Sequence, residues 1–427
     1  MRKKVLVFPC GSEIGLEIYK SVSMSTHFDL FGGSSTDDHG KFVYDKYIGD
    51  MPFVDDVDFT EKLNSIVKDH EIDFIFPAHD SVVLKLAQLK ASGLVACEVV
   101  TSIEATCEIA RSKRKTYQIF KNIIPTPKMF DDINEVTLTD FPVFLKPDVG
   151  QGSKGTYIAS SYEDIEFYTK KDNTLITLEF LPGKEYTVDC FTNKDGELAF
   201  CLGRERARVG NGISVSSKEV NDDRFKKLAL AINQRITFRG VWFFQVKENT
   251  AGDLVLMEIA PRVAGTMGLS RSTGVNLALL SLFDACGYDV DINKNSYEIE
   301  IDRALQNRYR HNISYSHVYL DFDDLLVFEE KVNPIIVSFI FQCINEGVKV
   351  YLITRHKRDI HLTLEKYRLK NLFDEIIWIR NDDLKSSYIK HMDAIFIDDS
   401  HAERQEISKK FGLPVFDAHN IEALLRK

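Results

Sequence analysis

The chain has 427 residues, 44% of them hydrophobic, and carries a formal net charge of −10 with a pI near 5.6. That length holds roughly two to four packed domains, and the acidic balance excludes general affinity for nucleic acid or anionic membranes while leaving small-ligand binding open. The seven cysteines (Cys10, Cys97, Cys107, Cys190, Cys201, Cys286 and Cys343) are never spaced CxxC, which argues against a disulfide frame or thiolate zinc site, and the N-terminal MRKKVLVFPCGSEIG resembles no signal peptide, so the cytoplasm is the expected compartment.

Lys4 to Phe8 reads as a first apolar strand, followed by Gly11 and Gly15 and the amphipathic IGLEIYKSV, the opening of a Rossmann-like layer without a GxGxxG dinucleotide signature. Asp29 to Gly33 reads as a second strand, Thr60 to His70 as a helix, and Ile72 to Pro77 as a buried strand. That strand runs out at His79 and Asp80. Strand ends are where open α/β sheets bind ligands, so His79 is a candidate substrate contact, with Asp80 either a second contact or a cap for the helix from Ser81. Thr101 to Asn122 reads as one helix carrying Arg111, Lys113, Arg114 and Lys115, either a solvated basic face or a source of one phosphate contact.

The stretch FPVFLKPDVGQGSKGTYIA, Phe141 to Ala159, delivers Lys146 from an apolar strand into a loop with Gly150, Gly152 and Gly155, then resumes a strand. Glycines let backbone N–H groups face an anion, and Ser153 and Lys154 add a hydroxyl and a charge, so the hairpin reads as a phosphate-binding element or, more plainly, a surface hairpin. A helix around Tyr162 to Lys170 and a strand from Leu175 to Leu181 follow. Arg204, Arg206 and Arg208 alternate on an extended segment, a pattern that suits a carboxylate or polyanion and is awkward for a core. FRGVWFFQVKEN and LVLMEIAPR read as paired strands in which Glu258, set among apolar residues, calls for a cation such as Mg²⁺.

In that order these motifs resemble the ATP-grasp superfamily over residues 1 to 305, most closely the carbamoyl-phosphate synthetase large-subunit type. The resemblance implies ATP and Mg²⁺ as cofactors. Lys113, Lys146, Gly150, Gly152, Ser153, Lys154 and Gly155 would meet the phosphates, Glu179, Phe180 and Leu181 the adenine, and Glu185 the ribose. Gln245 and Glu258 would be the metal ligands, Arg262 would steady phosphate, and Ala260 stands where the family usually has an asparagine ligand. The implied chemistry is phosphorylation of a carboxylate followed by attack of an amine on the acyl phosphate, with the arginine segment helping to define a small-molecule acceptor.

From residue 316 the chain restarts with HVYLDFDDLLVF, then VYLITR, DLKSSYIK and AIFIDDS, an order that resembles the haloacid dehalogenase (HAD) superfamily over residues 316–427. That resemblance implies Asp321 as nucleophile, Asp323 as general acid and base, and Thr354 and Lys385 as phosphate holders, with Lys390 the alternative lysine. The metal set it implies is Asp321, Asp323, Asp398 and Asp399, and the span from Asp323 to Asn345 is too short for a cap domain. Leu325 replaces the threonine usual after the aspartates.

The expected fold is therefore an α/β and α+β multidomain chain: a Rossmann-like pre-ATP-grasp domain (1–100), an ATP-grasp domain (101–305) and a capless HAD-like Rossmannoid domain (316–427). The expected function is a carboxylate–amine ligase fused to a Mg²⁺-dependent phosphatase acting on a phosphorylated compound of the same pathway, with a homodimer left open. The alternative is a small-molecule kinase whose C-terminal part is a non-catalytic binding module. No nucleic-acid or membrane partner is expected.

Overall fold

The protein is described by a computed structural model covering residues 2–150, 152, 154–210 and 212–426. It divides into two compact units, Met1–Leu305 and Gln306–Lys427.

In the first unit the strand Lys3–Phe8 lies at the centre of a five-stranded parallel sheet, flanked by Phe28–Gly33 and Lys46–Ile48 on one side and by Phe74–Pro77 and Glu98–Val99 on the other. Its continuous apolar run suits a strand covered on both faces: Val5 and Val7 enter one core while Leu6 and Phe8 enter another. The helices Glu13–Val22, Phe59–His70 and Asp80–Ala91 follow the strands Lys3–Phe8, Lys46–Ile48 and Phe74–Pro77. Beyond them come a four-stranded antiparallel sheet built around Val143–Pro147 and Leu175–Glu179, and a six-stranded antiparallel sheet built around Gly240–Glu248, Glu185–Thr192 and Leu198–Gly210. Phe191, Val241 and Phe243 of the larger sheet share a core with Val5 and Val7, which joins the first hundred residues to the rest of the unit.

Three local expectations change. The helix anticipated from Thr101 to Asn122 is two helices, Glu104–Arg111 and Lys113–Phe120, because Ser112 adopts extended backbone and its hydroxyl caps the second by accepting from the Lys115 N–H. The strand from Leu175 stops at Glu179, so Phe180 and Leu181 leave the sheet. Asp80 is not a cap: His79 is the N-cap residue, and the Asp80 carboxylate is bound to Arg262.

The second unit is a parallel five-stranded sheet in the order Glu375–Trp378, Lys349–Thr354, His317–Leu320, Ala394–Ile397, Val415–Phe416. The helices Pro334–Asn345, Ile360–Lys366 and His401–Phe411 connect its strands, and a short hairpin, Val327–Phe328 with Lys331–Val332, follows His317–Leu320. Among the described residues no helix is long and apolar enough to cross a membrane.

Candidate active sites

The cleft of the first unit is built on Lys146. The strand Val143–Pro147 places its ammonium almost out of water, 2.8 Å from the Tyr117 hydroxyl and 3.4 Å from the Met257 carbonyl. Burial, with Lys113 nearby, pushes this lysine down to about 7, against the pull of Glu258 and Glu185. Lys113 opens the helix that Ser112 caps, and burial lowers it too; its ammonium reaches the carbonyls of Asp148 and Gly150, each at 3.2 Å. Asp148 locks this corner by accepting from the Ser112 hydroxyl at 3.0 Å and from the Arg114 N–H at 2.7 Å. The hairpin turns through Gly152 and Gly155 at φ of 62° and 70°, where a Cβ would be strained. Ser153 lies outside the described residues.

The same open cleft spans about 910 Å³ with the solvent space at its mouth included, and Glu179, Phe180, Leu181, Gln245 and Glu258 are among its lining. Gln245 and Glu258 face each other across neighbouring strands. Arg206 ties the wall together: it pairs with Glu185, donates to Gln245 Oε1 at 2.9 Å and to the Gly212 carbonyl at 2.8 Å, and keeps a buried Nε with no hydrogen-bond partner. Glu185 thus reaches the cleft already paired. The ligand set fits magnesium, which takes few protein oxygens and fills its shell from water and phosphate; Ala260 adds none.

A second cavity of about 1370 Å³ continues from the first, sharing Lys113, Lys154, Arg206, Gln245 and Glu258 with it. Its described lining carries seven cationic side chains against three carboxylates. His79 lines it, hydrogen-bonded to the Ser81 hydroxyl at 2.8 Å, and burial lowers its imidazole, Asp80 opposing and Arg262 reinforcing the shift. Arg262 lines it as well, but its guanidinium makes a two-pronged ion pair with Asp80 (2.6 and 2.8 Å), so it is held from behind. The arginine segment does not act as one face. Arg204 is 1% exposed and spent on Asp189 (2.9 and 3.0 Å), so an arginine does sit in this core because a carboxylate is buried with it. Between Arg206 and Arg208 the strand register shifts, and Arg208 points out to Asp302. Arg111, Glu13 and Arg303, which motif reasoning did not single out as site residues, also line this cavity. The signal for Arg111 was its place in the basic cluster; Glu13 and Arg303 lie far apart in sequence and meet only as an ion pair at 2.9 Å.

In the second unit three strand ends converge. Asp321 follows His317–Leu320, Thr354 ends Lys349–Thr354, and Asp398 follows Ala394–Ile397. Lys385 lies between two of the carboxylates, 2.8 Å from Asp321 and 2.6 Å from Asp398, while Lys390 is exposed beside Glu375, which selects Lys385 from the two alternatives. Burial pushes Asp321 up to about 7 despite Lys385, and it raises Asp398 as well. Oxygens of Asp321, Asp398 and Asp399 lie within 4.8 Å of one another, and Asp321 Oδ1 is held against the Lys385 ammonium. This all-oxygen donor set fits Mg²⁺. Asp323 stands outside that set: its carboxylate turns instead to His356, at 2.9 Å.

Residues 171–306 match the family described as ATP-grasp in the biosynthetic pathway with Ter operon. The chain is 24% identical over 248 residues to a carbamoyl phosphate synthase large chain from Clostridium botulinum, an alignment that covers 52% of this chain and only 22% of that protein's length. It is 22% identical over 205 residues to a D-alanine–D-alanine ligase from Petrotoga mobilis, covering 41% of this chain and 68% of the ligase. Among solved structures, the biotin carboxylase domain dimer of Hydrogenobacter thermophilus 2-oxoglutarate carboxylase, in complex with MgADP, ADP and bicarbonate, superposes with a TM-score of 0.57 at 16% identity, covering 69% of this chain and 72% of that one. The parallel sheet of residues 306–427 is a further α/β unit with no family assigned by these matches. Residues 171–306, within the first unit, thus match an ATP-grasp family model, and the chain shares its fold with that biotin carboxylase domain over 69% of its length.

Proposed function

We propose that residues 1–305 form an ATP- and Mg²⁺-dependent carboxylate–amine ligase and that residues 306–427 form a HAD-type phosphatase serving the same pathway. The observation that carries the ligase reading is the junction of the two cavities at Lys113, Lys154, Arg206, Gln245 and Glu258. A nucleotide in the first cavity, with adenine near Phe180 and Leu181 and phosphates at Lys146 and the glycine hairpin, would direct its terminal phosphate to that junction. An acceptor carboxylate in the cation-rich second cavity would meet it there. Attack of the carboxylate oxygen on the γ-phosphorus forms an acyl phosphate and releases ADP; an amine then displaces phosphate to leave an amide. Lys146, Lys113 and Arg206 would neutralise and orient the reacting phosphate, which is the greater part of what phosphoryl transfer asks of a protein.

For the second unit, the support is the meeting of Asp321, Thr354 and Asp398 at adjacent strand ends, with Lys385 between the two carboxylates. Mg²⁺ supplies charge neutralisation at both sites when bound; Gln245 and Glu258 would hold it in the first unit, and Asp321, Asp398 and Asp399 in the second. The domain boundaries 1–100, 101–305 and 316–427 belong to this reading, as does a homodimer, which gel filtration tests. The ligase reading is tested by screening carboxylate and amine pairs for ADP release with product masses determined, using Lys146→Ala and Glu258→Gln as controls. Full turnover by both variants would refute the site.

A further inference from the structure

The Asp323 carboxylate is gripped by a residue that has no part in the reading above. His356 Nδ1 lies 2.9 Å from Asp323 Oδ1 and 3.1 Å from Oδ2, and its Nε2 lies 3.1 Å from Thr363 Oγ1. The Thr363 hydroxyl also lies 2.8 Å from the Asp359 carbonyl, which fixes its place beside the ring. A carboxylate only accepts, so the contact is made by an Nδ1–H of the imidazole directed at both Asp323 oxygens.

The imidazole is anchored from several sides. Its side chain is 12% exposed while that of Asp323 is 51% exposed. The Phe322 ring packs edge-on at a centroid distance of 5.0 Å. The His356 backbone is pinned as well: its N–H donates to Thr354 Oγ1 at 3.1 Å, and its carbonyl accepts from the Trp378 indole at 2.9 Å. One residue therefore links Thr354 and Asp323, two positions of the phosphatase site.

We propose that His356 is the positioning residue for Asp323, holding that otherwise exposed carboxyl where it can protonate the leaving oxygen of a phosphomonoester. The proposal rests on the phosphatase reading of the second unit. In the first step an Asp321 carboxylate oxygen bonds to phosphorus, the ester P–O bond breaks, and the departing alkoxide takes the Asp323 proton and leaves as alcohol. In the second, water gives a proton back to Asp323 and its oxygen bonds to phosphorus; the bond to Asp321 breaks, releasing inorganic phosphate and restoring the carboxylate. A general acid contributes about 10²- to 10⁴-fold, and its value rises with the basicity of the leaving group.

The full-length protein with Mg²⁺ is assayed on glycerol 2-phosphate, whose alkoxide needs a proton, and on p-nitrophenyl phosphate, whose phenolate does not. The ratio kcat/KM reports the steps through alcohol release. His356→Ala should lower it about 100-fold on glycerol 2-phosphate and less than about 3-fold on p-nitrophenyl phosphate. Thr363→Val, which removes the Nε2 contact along with the hydroxyl's bond to the Asp359 carbonyl, should show the same selectivity with smaller amplitude. In an Asp323→Asn background, His356→Ala should add no further loss. Equal loss on both esters, no loss on either, or additive loss in the Asp323→Asn background overturns the proposal while leaving phosphatase activity standing. A wild-type protein no faster than Asp321→Asn on both esters removes the phosphatase reading, and this proposal with it.

Discussion

Each unit buries a lysine at the heart of its site, Lys146 at 6% exposure and Lys385 at 4%, and the two respond in opposite directions. Burial drives Lys146 down to about 7, because its neighbours are a phenol, a carbonyl and a second lysine. Burial would lower Lys385 as well, but Asp321 and Asp398 overcome it and raise its value. Equal dehydration therefore decides nothing by itself; the charge of the partner does. The first site has fewer carboxylates than cations in its described lining, an imbalance that a polyphosphate would offset. The second holds an excess of carboxylate, which a divalent cation would relieve.

The sharpest way to break this contrast is to remove each site's central group. Asp321→Asn should lower phosphomonoester hydrolysis by at least about 10³-fold, since the attacking oxygen is lost, and steady-state kinetics with Mg²⁺ checks this. Lys146→Ala should lower acceptor-dependent ADP release by about 10²- to 10³-fold, read by coupled assay. A smaller effect belongs to stability. Lys385→Met leaves Asp321 and Asp398 buried without their cation, which should destabilise the second unit by about 3–5 kcal/mol in urea without Mg²⁺ and by much less with it. Persistence of the full loss in saturating Mg²⁺ would show that the carboxylates do not share a metal.

The arginine segment sharpens the contrast within the first unit. Arg204→Ala strands Asp189 in the core and should cost about 3–5 kcal/mol, whereas Arg208→Ala should stay within about 0.5 kcal/mol, both read from denaturant midpoints. The smallest effect is protonic. Between about pH 7 and 10.5 unbound native protein keeps Lys146 largely neutral while the unfolded chain keeps it charged. The unfolded state thus binds more protons there, so this lysine makes the unbound protein more stable as pH rises through that window. A bound polyphosphate reverses the bias by restoring the charge. ATP titrations at pH 8, in buffers of different ionisation enthalpy, should show uptake of up to about one proton, absent in Lys146→Met.

Much of both folds was legible because it depends on local pattern. The apolar run at Lys3–Phe8, the glycine hairpin after Lys146 and the strand ends at Asp321 and Asp398 are each written within a few neighbouring residues. The break at Ser112 was not, because its reason lies in Asp148, on a distant strand's exit. Nor was the fate of the arginines. Arg262 finds Asp80 across 182 positions, and Arg204 finds Asp189 through strand register, so the family resemblance for the one and alternation for the other made both look available for a ligand.

The amino-acid sequence by itself determined which groups carry charge and which segments turn, since glycine, proline and apolar periodicity act over a few residues. Tertiary structure alone decided which of those charges remain to meet a substrate. An ion pair forms by proximity in space, and Lys113 and Lys146, Glu13 and Arg303, or His356 and Asp323 become neighbours only once the sheets have set their register.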